Sequence, residues 1–170
     1  MTILPKLQEL TNVRIPNATL DALFRRSDKP YYVEVDQEAD RLSDLYQHRD
    51  YFEVYRKSTI GKLGEIFIRE TYPELFFPVT TDTLEAHAQA EWIDETADVM
   101  TLDQAINFHD IISKPTGEII EVKRWLPKSK ALLLPKFIES VKRKTNASHI
   151  LVLFGYDEKE TWVDEIIKLK

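Results

Sequence analysis

The chain has 170 residues, of which 43% are apolar and 31% charged, with 4 glycines and no cysteine. That length and mix fit one globular domain with a real hydrophobic core, while the missing cysteines exclude disulfides, thiolate nucleophiles and Cys-type zinc sites, and so few glycines argue against a Gly-rich phosphate loop. The net charge of −6 argues against a nucleic-acid partner, yet between Lys114 and Lys144 nine basic residues face three acidic ones, leaving +6 there and −12 elsewhere; salt screens distant charge within about 8–10 Å, so a local basic face can still attract phosphate.

From the N-terminus, the start MTILPKLQEL carries neither a cleavable leader nor an 18-residue apolar span, so no membrane partner and a reducing, cytoplasmic setting are expected. Residues 5–30 read as a short helical region broken at Pro16. Tyr31–Val35 reads as a short strand, and 36–57 as an amphipathic helix through Leu42, Leu45 and Tyr46. A further helix is expected from Ser58 or Thr59, either able to cap it, with Ile60, Leu63, Ile66 and Phe67 as its apolar stripe and Pro73 as its end. Leu75–Val79 reads as an edge strand or loop, and 82–104 as an acidic, partly helical insertion.

The signal then sharpens. Asn107–Ser113 reads as a strand, Lys114-Pro115-Thr116-Gly117 as a turn in which Gly117 takes positive φ, and Glu118–Trp125 as the antiparallel partner. A helix over Pro135–Thr145, a fully buried strand over His149–Phe154 and a surface helix to Lys170 complete the chain. The expected organisation is a mainly helical N-terminal part (1–57), a core (58–156) and a C-terminal helix (157–170). The fold class is α/β, a central mixed β-sheet flanked by helices.

Alternate residues of a strand share a face, so Glu121 and Lys123 point one way and Ile120, Val122 and Arg124 the other. With Asp110 on the partner strand, two carboxylates can converge on a hard cation, Mg²⁺ or Mn²⁺, with the Val122 carbonyl as a further ligand. Lys123 would then lie near the scissile phosphate or the attacking water, which is what phosphodiester hydrolysis requires.

Asp110-x10-Glu121-x-Lys123 on adjacent strands resembles the PD-(D/E)XK nuclease superfamily. The resemblance covers about Ser58–Tyr156 and implies a restriction-endonuclease-like core preceded by an N-terminal helical region. It also implies divalent-metal-dependent nuclease activity, with Asp110, Glu121 and Lys123 catalytic. Gly61-Lys62-Leu63-Gly64-Glu65 looks like the helix that carries a further glutamate in many members, making Glu65 a third metal ligand and letting the helix approach the sheet through small residues. The family's proline is replaced here by His109, and Lys136 is a reserve for the lysine. The upstream histidine of viral RNA-cleaving branches would correspond to His48.

DNA is favoured as substrate over RNA, and a catalytically silent nucleic-acid-binding module is the alternative on the same fold. Lys128, Lys130, Lys136, Lys142 and Arg143 are the candidate nucleic-acid contacts, and His48 and His109 are further candidates. A homodimer or membership of a larger protein is compatible with the pattern. Asp94 or Asp98 replaces Asp110 if the hairpin register differs, and Glu-x-Lys by itself also suits a solvated strand face.

Overall fold

A tight reversal needs a residue that tolerates positive φ, and Gly117 takes φ +69°. Its N–H donates to the Ser113 carbonyl at 2.8 Å, and the Ser113 N–H donates to the Glu118 carbonyl at 3.0 Å. The turn set by Pro115 and Gly117 therefore closes as the sequence predicts. The computed structural model describes residues 2–26, 28, 31–45, 50–76, 111–144 and 149–169, without the side chains of 38, 41, 42, 45 and 140–144. Its elements run α1 (Leu4–Gln8), a 3₁₀ turn (Glu9–Asn12), β1 (Arg14–Pro16), α2 (Asn17–Phe24), α3 (Tyr31–Leu45), α4 (Tyr51–Thr71) and a 3₁₀ turn (Pro73–Leu75). Then come β2 (Ile111–Ile112), β3 (Ile119–Arg124), α5 (Pro127–Lys144), β4 (His149–Tyr156) and β5 (Glu160–Lys168).

The described strands make a five-stranded mixed sheet in the order β1-β5-β4-β3-β2. β2 and β3 pair antiparallel, with Ile111 opposite Ile120 and Ile112 opposite Ile119. β3 and β4 pair parallel, with Glu121 opposite Leu151 and Lys123 opposite Leu153. Parallel neighbours need a long crossover, and α5 supplies it. Phe76 adds an isolated antiparallel bridge to Ser113 beyond β2. The chain is thus α/β with helices against a mixed sheet.

One face of β3, through Ile120 and Val122, joins Leu63, Ile66, Phe67, Val152 and Phe154 in the larger core, which also takes in α1, α2 and α3. The other face packs Leu151 and Leu153 against Trp125, Leu134, Phe137 and Ile138 of the α5 side. Glu118 ties the N-terminus to the hairpin, accepting from the Ile3 N–H at 2.6 Å and the Thr2 hydroxyl at 2.7 Å. Arg124 is buried, donates to Thr161 at 3.0 Å and to Asn17 at 3.2 Å, and stacks 3.8 Å from the Tyr156 ring centroid.

Four expectations are corrected. Tyr31–Val35 begins a helix, not a strand: Tyr31, Val35 and Ala39 are its buried positions, and a spacing of four satisfies a helical stripe as well as an alternating one. Ser58 and Thr59 do not start a helix, because α4 begins at Tyr51 and runs 21 residues, so the division at 57/58 falls inside it; the Thr59 hydroxyl instead donates back to the Tyr55 carbonyl at 2.8 Å. The crossover helix starts at Pro127, where a missing N–H is harmless, and carries Pro135 in its interior. The C-terminal helix expected over 157–170 is strand β5: Thr161 and Val163 alternate inward, and β4 needs an antiparallel partner on its second edge. The acidic insertion at 82–104 lies outside the described residues.

Gly64 shows why α4 can lie so close to the sheet. A Cβ there would sit 2.9 Å from Val122 Cγ1 and 3.1 Å from Phe154 Cδ2, whereas one at Gly61 would meet nothing within 4 Å. Gly64→Ala is expected to lose about 1 kcal/mol net, overpacking of about 1–3 kcal/mol being partly offset by helix propensity. Gly61→Ala should gain about 0.5–1 kcal/mol. Urea denaturation of the two variants reads the opposite signs directly.

Candidate functional site

Glu121 and Lys123 stand on the α5 face of β3 because Val122, between them, is turned toward Gly64 of α4. The Lys123 Nζ lies 3.2 Å from Glu121 Oε1, with side-chain exposures of 30% and 8%. The lysine therefore reaches solvent while the carboxylate sits beneath it. The Phe137 ring of α5 supports the lysine, its centroid 5.0 Å from Nζ. Parallel pairing with β4 brings a residue that the sequence reading takes only as the start of an apolar run: buried His149, whose Nε2 lies 4.0 Å from Glu121 Oε2. A histidine opening a buried strand was the available signal, but only the β3–β4 register reveals its neighbour.

Glu65 is not brought to this cluster. It sits on α4, which covers the opposite face of β3, and both of its oxygens are engaged. Lys62 Nζ donates to Oε2 at 2.6 Å and Arg69 Nε to Oε1 at 2.8 Å. Lys62 also bridges to Glu34 of α3 at 2.9 Å. Burial alone would raise the Glu65 carboxyl, but Lys62 and Arg69 more than reverse that and hold it below the usual carboxylate range. Burial likewise works against the Arg69 charge, and Glu65 and Glu34 outweigh it, raising Arg69. Two carboxylates and two cations thus form a neutral brace between α3 and α4. Of the small residues expected to admit the helix, Gly64 does so and Gly61 does not.

Val122 lies opposite Val152 in the parallel ladder. Asp110, His109 and His48 lie outside the described residues, as do Asp94 and Asp98. Among the described residues there is no group of three His, Asp or Glu arranged to hold a metal ion. Lys128 and Lys136 are exposed on α5. Lys130 is committed to Asp164 at 2.9 Å and Glu165 at 2.8 Å, and the hydrogen bonds to Glu165 and Asp164 raise its pKa. Lys142 and Arg143 belong to α5, with side chains outside the described set. Among the described residues no helix is long and apolar enough to cross a membrane.

Glu65→Gln leaves Lys62 and Arg69 buried with too little negative charge, and is expected to cost about 3 kcal/mol at pH 7. Because the folded carboxyl is held below its unfolded value, its stabilisation is full above about pH 4.3 and is lost as pH falls toward the lowered value. The gap between wild type and variant, read from urea denaturation between pH 7 and pH 3, should therefore close on the acid side.

No protein-family model, curated protein or solved structure matches the chain.

Proposed function

We propose that the chain is a divalent-metal-dependent nuclease with a restriction-endonuclease-like core, hydrolysing phosphodiester bonds at the α5 face of β3. The observation that carries this reading is the Glu121–Lys123 pair, side by side at 3.2 Å on a strand paired to β2 through Ile111–Ile120 and Ile112–Ile119. Continued by one step, that register would oppose positions 110 and 121, and directly opposed residues of an antiparallel pair share a face. The element order supports the same core: α4, the Phe76 bridge, the β2–β3 hairpin, α5, then β4 parallel to β3.

The donor set fits Mg²⁺ or Mn²⁺, since Glu121 and Asp110 offer carboxylate oxygens and Val122 a backbone carbonyl, the hard ligands such ions prefer. A bound ion supplies Lewis-acid charge and acidifies water at neutral pH. Glu121 holds the ion. Lys123, more exposed and aligned over Phe137, sets a positive charge where the phosphate gains negative charge. Its Nζ also stands as a cationic partner to Glu121 at 3.2 Å. Glu65 stays in its brace and takes no part. DNA is the preferred substrate, in keeping with the resemblance.

Incubation with single- and double-stranded DNA and RNA, with Mn²⁺ and with EDTA, tests the reading. Wild type should cleave only with metal, and Lys123→Ala should be about 10²–10³ slower. Mn²⁺ should raise the thermal midpoint of wild type and Lys123→Ala, and leave Glu121→Ala unmoved. Cleavage of RNA alone transfers the substrate to RNA. Binding without cleavage gives the silent module. Absence of both a metal shift and nucleic-acid binding overturns the reading.

A further inference from the structure

We infer that the cavity at the carboxyl ends of β3 and β4 is a nucleobase pocket that seats the base next to the phosphate held at Lys123. The choice of nucleic acid as ligand rests on the nuclease reading above. The cavity encloses about 640 Å³ and is walled by Trp125, Trp162, Pro127 and Pro135, with Lys130 and Asp164 among its polar groups. That volume lies within the range of small-molecule sites, and the ends of parallel strands are where open α/β sheets commonly take ligands.

Its walls suit a flat aromatic ring. Trp162 lies across Gly155, where a Cβ would come within 2.6 Å of the indole Nε1. The Arg14 guanidinium stacks 4.6 Å from the Trp162 ring and is itself anchored to Glu160 at 2.6 Å. A side chain held this way loses little freedom on stacking. Trp125 meets Phe137 edge-on, with centroids 6.2 Å apart, and the same Phe137 ring supports Lys123. Phe137 therefore links Trp125 of the cavity wall to Lys123. Trp125 follows Lys123 by two positions, with Arg124 alone between them, about 7 Å of extended backbone, a separation suited to a phosphate and its adjoining base.

The polar groups select the base over the phosphate. Lys130 is shared by Asp164 of the cavity wall and Glu165 outside it, so its charge is already matched and gives a phosphate little to bind. Pro135 has no N–H to give to the Ala131 carbonyl, which leaves that acceptor on the helical wall without its usual i+4 donor. Carboxylate and carbonyl acceptors match bases that bear amino groups, above all guanine with its adjacent N1–H and N2–H₂.

The test is intrinsic fluorescence of the whole chain, excited at the red edge of the indole band, titrated in EDTA with GMP, UMP, ribose 5-phosphate and a proline-rich peptide. GMP should quench saturably, UMP more weakly, and ribose 5-phosphate and the peptide not at all. Trp162→Leu should bind GMP about tenfold more weakly, the scale of one lost base–aromatic stack. Ala131→Leu, at an exposed helical position lining the cavity, should fill it, weaken GMP similarly and keep the wild-type thermal midpoint. Equal quenching by ribose 5-phosphate overturns the inference. So does unchanged GMP binding in a folded Ala131→Leu, quenching by the peptide alone, or no quenching by any nucleotide. GMP binding without metal-dependent cleavage would keep the pocket and remove the nuclease reading; cleavage without GMP binding would do the reverse.

Discussion

A carboxylate on a strand buried on both faces is the constraint from which the rest of this structure follows. β3 packs Ile120 and Val122 against α4 and sets Glu121 beneath Lys123 on the α5 side, leaving Glu121 6% exposed. Ionised carboxylates are costly to bury unless a cation or several donors face them. Lys123 at 3.2 Å supplies part of that compensation, and replacing both residues with apolar ones would serve stability at least as well. Retaining a buried acid beside a half-exposed lysine makes sense when the acid has something to hold. The nuclease proposal takes that something to be a divalent cation.

The two faces of the sheet divide the charge between them. On the α4 side, Lys62 pairs with Glu34 and Glu65, and Arg69 with Glu65, tying α3 to α4. On the α5 side, Glu121, Lys123 and His149 come together from two strands, next to the aromatic cavity. The basic segment divides likewise. Arg124 is spent on Thr161, Asn17 and Tyr156, and Lys130 on two acids, which leaves Lys128 and Lys136 as the exposed described cations of α5. A charge tally along the sequence overstates the field that a phosphate would meet, because it counts cations already neutralised by the fold.

What was legible in the sequence was whatever local chemistry decides. Pro115 and Gly117 specify the turn, the apolar run after His149 specifies a buried strand, and a period of two puts Glu121 and Lys123 on one face. What was not legible depends on partners distant in the chain. β5 becomes a strand by pairing with β4, and β1 by pairing with β5, through Arg14–Trp162 and Ile15–Thr161. Tyr31–Val35 fits strand and helix alike, because a spacing of four suits both periods. Glu65 pairs with Lys62 and Arg69, whose places at i−3 and i+4 are an intrahelical pattern visible in the sequence.

His149 shows where a site reading from one strand must stop. A strand's own period assigns faces, but it cannot say which neighbour arrives beside each residue. The parallel register sets Ile119 against His149 and Glu121 against Leu151, so the histidine lies diagonally across from the acid, on the same face. A one-residue slip of β4 would turn His149 toward the α4 core and expel Leu151 and Leu153 from the cluster with Phe137 and Ile138. The register that seats Leu151 and Leu153 under α5 is therefore also what delivers an imidazole to the Glu121 carboxylate. The packing of Leu151 and Leu153 under α5 and the composition of the candidate site are consequences of one register, and neither can change without the other.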